Sequence, residues 1–320
     1  RSLEKSSEGK LHPYMATCYD NLGRNAHLLW NLEQAIEYFN KAKEIRKKFP
    51  QAEGHLIETC IGLGKVHSDS GEFEEALSNF NQALEIAKRH LEPDHITYAS
   101  IYKFLGRTYE SMRNAEKALE CYHKTLDNLK KHHPEDHVNL GSIYLDLGMV
   151  YTQLKNFAEA LKCLKKGHEI YLKTYGENHP ELTHAYTGLS TLYFEMHDYD
   201  EALKNAQKAV ELFVSAHGDD NPDAGVLYDN LAAVYRKKEQ YEEAIKYYQK
   251  SVRIMSEYDE DHPNMASLRE NLAECYLKQG KTRDAVEQLE KATKILQRIP
   301  GFEEEVKNLQ SRIQSLKNKP

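Results

Sequence analysis

Along this 320-residue chain the apolar positions fall into two alternating stripes, and both recur every 41 or 42 residues. Leucine returns at Leu22, Leu63, Leu105, Leu147, Leu189, Leu231 and Leu272. Each is followed by a small residue: Gly23, Gly64, Gly106, Gly148, Ser190, Ala232 and Ala273. Three positions further, from the third recurrence onward, stand Tyr109, Tyr151, Tyr193, Tyr235 and Tyr276. A second series runs Ala35, Ala76, Ala118, Ala160, Ala202, Ala244 and Ala285, with an aliphatic residue directly after each. Seven residues beyond each alanine come Ala42, Ala83, Thr125, Gly167, Ala209, Ser251 and Ala292. Apolar spacing near 3.6 residues within each stripe predicts two amphipathic helices per repeat, A and B. In the sixth repeat they cover about Ala224–Lys238 and Tyr241–Glu257.

The small residues let paired helices approach closely, and large side chains such as Phe39, Phe80, Tyr122 and Tyr248 fill the space between. Asn156 with Glu159, and Asp198 with Glu201, have capping-box spacing at the start of helix B. Prolines fall between repeats, at Pro13, Pro50, Pro93, Pro134, Pro180, Pro222, Pro263 and Pro300, where a missing amide costs a helix nothing. The chain thus divides into a flank at 1–11, seven repeats at about 12–52, 53–95, 96–137, 138–180, 181–222, 223–263 and 264–298, and a terminal segment at 299–320. In that segment Phe302, Val306, Leu309, Ile313 and Leu316 form one stripe on one helix. It is expected to cap the last apolar face of the stack, as repeat arrays require. The rival is a coiled-coil start that would make the chain a homo-oligomeric structural element; a monomer is favoured.

Composition narrows the function classes. With 40% apolar and 29% charged residues the chain can fold, and its net charge of −7, spread over every segment, argues against nucleic acid as a partner. Five cysteines, an odd number without a C-x-x-C pair, read as reduced thiols of a cytoplasmic protein. No apolar run approaches the ~20 residues of a membrane span. A first residue other than Met suggests a piece of a longer protein.

Helix A with Leu-Gly and then Tyr, and helix B with Ala, small and aromatic residues, resemble the tetratricopeptide repeat. The 42-residue period and the acidic-His-Pro linkers resemble its kinesin-light-chain variety. Those linkers are Asp94-His95, Asp136-His137, Glu177-Asn178-His179-Pro180, Asp220-Asn221-Pro222 and Asp261-His262-Pro263. The resemblance covers about 12–298. It implies an all-α, right-handed superhelical solenoid of about seven helix hairpins plus a C-terminal capping helix, with helix A on the concave face. It further implies a protein–protein interaction scaffold that holds a peptide or partner segment in that groove, with no enzymatic activity and no cofactor. The alternative within the resemblance is a regulatory or cargo-adaptor arm of a larger motor or signalling protein, binding in cis or through an adaptor.

On helix A the position after the small residue carries Arg24, Lys65 and Arg107, with Lys103 one turn earlier, and then Met149, Thr191, Ala233 and Glu274. Repeats one to three therefore present a basic ladder suited to an acidic segment. Surface ion pairs to Asp69 and Glu110 are the bland reading of the same charges. One position before the leucine, Asn21, Asn230 and Asn271 can clamp a peptide backbone, with Lys237 and Lys278 nearby; repeats two to five have Gly62, Phe104, Asp146 and Gly188 there instead. Gly62-Leu63-Gly64-Lys65 lacks the spacing of a phosphate loop. His132, His133 and His137 share a loop, but His137 recurs as His95, His179 and His262, which points to linker geometry rather than to a metal. Cys121 and Cys163 share a helix-B register and read as packing residues.

Overall fold

A computed structural model describes residues 13–258 and 262–318, and all regular structure among them is helical. The flank at 1–11, Asp261 of one linker and the last two residues lie outside the described residues. The helices are α1 (Pro13–Leu28), α2 (Leu32–Lys47), α3 (Leu56–Asp69), α4 (Phe73–His90), α5 (Thr97–Ser111), α6 (Ala115–His132), α7 (Val138–Gln153), α8 (Phe157–Tyr175), α9 (Leu182–Glu195), α10 (Tyr199–His217), α11 (Pro222–Lys237), α12 (Tyr241–Tyr258), α13 (Pro263–Lys278), α14 (Thr282–Leu296) and α15 (Glu303–Lys317). A 3-10 turn, Pro50–His55, precedes α3. The chain forms two compact units, Arg1–Leu154 and Lys155–Pro320, divided in the A–B turn of the fourth repeat. In the first, α1 pairs with α2, α3 with α4 and α5 with α6, and α7 packs on α6. In the second, α9 pairs with α10, α11 with α12 and α13 with α14; α8 packs on α9 and α15 on α14.

The glycine after each leucine makes room for a ring. A Cβ on Gly23 would lie 2.9 Å from the Phe39 ring, one on Gly64 2.5 Å from Phe80, and one on Gly106 2.7 Å from Tyr122. Phe39 also reaches the next helix A, where a Cβ on Gly62 would lie 2.5 Å from it. Each ring is fully buried, so the small residue of helix A and the large one of helix B form a single packing device. The tyrosine series joins neighbouring repeats. Gln207 Nε2 donates to the Tyr235 hydroxyl at 2.8 Å and Gln249 Nε2 to that of Tyr276 at 2.7 Å, while His123 Nε2 lies 3.0 Å from the Tyr151 hydroxyl.

Both kinds of turn have a recurring geometry. Between helices A and B, one residue adopts the left-handed conformation in every repeat: Trp30, Gly71, Arg113, Lys155, His197, Glu239 and Gly280, with φ from 57° to 76°. In four repeats helix B then starts on a side-chain cap: Asn31, Asn114, Asn156 and Asp198 each accept the amide three residues on, whereas Glu72 and Lys281 make no such bond. Between repeats the linker histidine does the same for helix A. Nδ1 of His95, His137, His179 and His262 accepts the amide of Thr97, Asn139, Glu181 and Asn264 at 3.1–3.3 Å, and Asn221 Oδ1 accepts that of Asp223 at 3.0 Å. The recurrence of histidine in the linkers thus has a geometric cause.

Helix α15 uses its apolar stripe as a lid. Leu309 and Ile313 are buried in the same core as Leu289, Ala292 and Ile295, and Phe302, Val306 and Leu316 pack against it.

Candidate partner-binding faces

In the first unit the basic ladder divides by its partners. Arg24 Nη2 is held by Glu58 of α3 as an exposed ion pair, and Lys103 Nζ donates to Ser142 Oγ of α7 at 2.8 Å. Neither carboxylate of the bland reading takes a ladder cation. Asp69 pairs with His27 Nε2 at 2.7 Å, and Glu110 accepts from the Tyr122 hydroxyl at 2.8 Å. Burial pushes the Glu110 carboxyl above its ordinary range, more than the Tyr122 bond and nearby Arg107 pull it down.

Lys65 and Arg107 make no ion pair among the described residues. Both line one concavity of about 160 Å³ between α3 and α5, together with Ser68, Asp69, Phe80, Phe104, Thr108 and Ser111. Lys65 Nζ stands 5.1 Å from the centre of the Phe104 ring, which stacks on Phe80 at 5.8 Å and 9°. A cation over an aromatic face keeps its charge available for an anion. Phe104 was not among the residues expected here. Its register, one before the leucine, carries asparagine in repeats one, six and seven, where a ligand-facing side chain is expected. In repeats two and three that register packs, since Gly62 clears the Phe39 ring and Phe104 stacks on Phe80.

In the second unit Asn230 and Lys237 stand seven residues apart on one face of α11, and Asn271 and Lys278 likewise on α13. Asn230, Lys237 and Lys278 are exposed and Asn271 is half-buried. None of these four side chains makes a hydrogen bond or ion pair among the described residues. Between the two helices Arg236 Nη1 and Glu274 Oε2 pair at 2.5 Å. The geometry leaves two amides and two cations open on adjoining A helices.

The remaining singled-out groups are structural. Cys121 and Cys163 are buried, and desolvation pushes both thiols up to about 11, which removes thiolate reactivity at neutral pH. His133 and His137 stack at 3.8 Å in the α6–α7 loop, with His137 engaged as a cap. No helix among the described residues is long and apolar enough to cross a membrane.

Models of the tetratricopeptide repeat match residues 16–49, 57–131, 139–213, 189–257 and 223–298. Among solved structures, BtubC (BKLC) from P. vanneervenii is 25% identical with a TM-score of 0.57, over 70% of this chain and 91% of that one. A tetratricopeptide repeat protein from Parabacteroides merdae is 19% identical with a TM-score of 0.60, over 94% and 99%. A signal-transduction ATPase from Pyrococcus horikoshii with a tetratricopeptide repeat sensor is 17% identical with a TM-score of 0.64, over 94% of this chain and 44% of its own. The mouse protein O-mannosyl-transferase TMTC2 is 33% identical over 81 residues, which is 24% of this chain and 9% of that protein.

Proposed function

Because this chain belongs to the tetratricopeptide repeat family, whose arrays are protein-interaction scaffolds, we propose that it holds an acidic segment of a partner protein on the helix-A face of its first unit. The observation that carries this reading is the pair Lys65 and Arg107. In a chain of net charge −7 these two cations share one concavity without an ion pair. An incoming carboxylate gains their charge without displacing an internal partner. Arg24 and Lys103 flank them and can exchange Glu58 and Ser142 for the ligand. On the second unit Asn230 and Asn271 hold the backbone of an extended segment, with Lys237 and Lys278 beside them. This function is binding rather than catalysis, exercised by a monomer in the cytoplasm.

The test is titration of a labelled oligo-glutamate peptide, with an oligo-serine peptide as control. The Lys65→Glu, Arg107→Glu double variant should weaken glutamate binding by roughly 10–100-fold, and binding to the parent should fall with added salt. Equal affinity in parent and variant at low salt would remove the first unit's ladder from the site.

A further inference from the structure

The concavity that holds Lys65 and Arg107 offers a ligand more than two charges. Ser68 and Ser111 line it as well. Ser111 is exposed and makes no hydrogen bond among the described residues. Thr108 commits its hydroxyl proton to the Phe104 carbonyl at 2.9 Å, and Ser68 Oγ meets the Thr108 oxygen only at 3.4 Å. Two hydroxyl protons are therefore open to a ligand beside the two cations. One wall is apolar, since Phe80 and Phe104 stack there and Lys65 Nζ stands over the second ring. The acids of this face have partners of their own: Asp69 pairs with His27 of α1, and Glu110 accepts from the Tyr122 hydroxyl.

A glutamate side chain would use this set incompletely. Its carboxylate has one charge and two coplanar oxygens, which satisfy the Arg107 fork and leave Lys65 and the hydroxyls to water. A phosphomonoester carries about −1.5 to −2 charges at neutral pH and three acceptor oxygens on a tetrahedral centre. Two of those oxygens match the guanidinium fork, and the third, with the remaining lone pairs, meets the ammonium and the serine hydroxyls. We propose that the partner's acidic segment enters this concavity through a phosphorylated side chain. The site's two cations then face one dianion, and the volume of about 160 Å³ holds a single such group. This rests on the reading that the first unit holds an acidic segment, and it names the anion which that segment presents.

The experiment titrates the full chain with three labelled hexaglutamate peptides that differ only in one central insert: serine, glutamate or phosphoserine. The phosphoserine peptide should bind about tenfold more tightly than the glutamate peptide. Lys65→Glu with Arg107→Glu should erase that difference. Ser68→Ala with Ser111→Ala should narrow it about threefold, with far-UV circular dichroism unchanged. Equal affinities for the phosphoserine and glutamate peptides would overturn the inference and leave the acidic-segment reading standing, whereas failure of all three to bind would remove both. A phosphoserine preference untouched by the Lys65→Glu, Arg107→Glu variant would also overturn it, since the phosphate would then sit elsewhere. So would displacement of the phosphopeptide by an equimolar amount of inorganic phosphate, because the site would then belong to the free ion.

Discussion

A histidine that accepts an amide through Nδ1 must carry its proton on Nε2, and this chain uses that arrangement at four linkers. The fifth linker reaches the same bond with Asn221, so the position selects an acceptor at short reach rather than an imidazole. His137→Asn should therefore leave stability unchanged, and His137→Leu should lower it by about 1 kcal/mol; urea denaturation of the two variants separates these outcomes. The A–B turns obey a different constraint. The left-handed residue is glycine in only two repeats, although a side chain there costs roughly 1–2 kcal/mol. Glu239→Gly should raise stability by about 1 kcal/mol and Gly280→Ala should lower it by a similar amount, since the glycine has nothing within reach of a Cβ and the effect is purely conformational. Denaturation midpoints of both variants check the pair.

At the scale of the helix pair, stability rests on glycine facing ring. Gly64→Ala places a methyl group against Phe80 and should cost roughly 1–3 kcal/mol by overpacking. Adding Phe80→Leu should recover part of that loss, a coupling that a double-mutant cycle measures. Much of this device was legible in the sequence, because both partners keep their register through several repeats. So were the helices themselves: the sixth pair, expected over Ala224–Lys238 and Tyr241–Glu257, forms at Pro222–Lys237 and Tyr241–Tyr258. What lay hidden depends on a neighbour. Gly62 and Phe104 pack because of Phe39 and Phe80 in the preceding helix B, and no property of their own repeat says so. Leu22 matches its six counterparts in sequence, yet differs from them in exposure because the cover comes from outside its repeat. The pairing of Arg24 with Glu58 was likewise invisible, since its partner sits 34 residues away in a register with no obvious periodicity.

Across the molecule the A helices carry acids in unfavourable surroundings. Burial raises the carboxyls of Glu110 and Glu270, and pushes that of Asp229 up to about 6 although Arg236 pulls it down. A folded pKa above the unfolded value of about 3.9 means that the native state binds more protons between those limits. The stability is then fully present below about pH 4 and is lost as pH rises through about 6. Asp229→Asn should accordingly stabilise the protein at pH 7 by on the order of 2 kcal/mol and change little near pH 4; melting curves at the two pH values decide it. Helix α1 has its own outcome in time rather than energy. In an array each helix is held by its neighbours alone, and among the described residues α1 packs on α2 and α3. Its amides are then released by local fraying of the first hairpin, without waiting for the rest of the first unit to unfold. Proteases and exchange with solvent would meet that hairpin first, so protection climbs from α1 inward through the first unit.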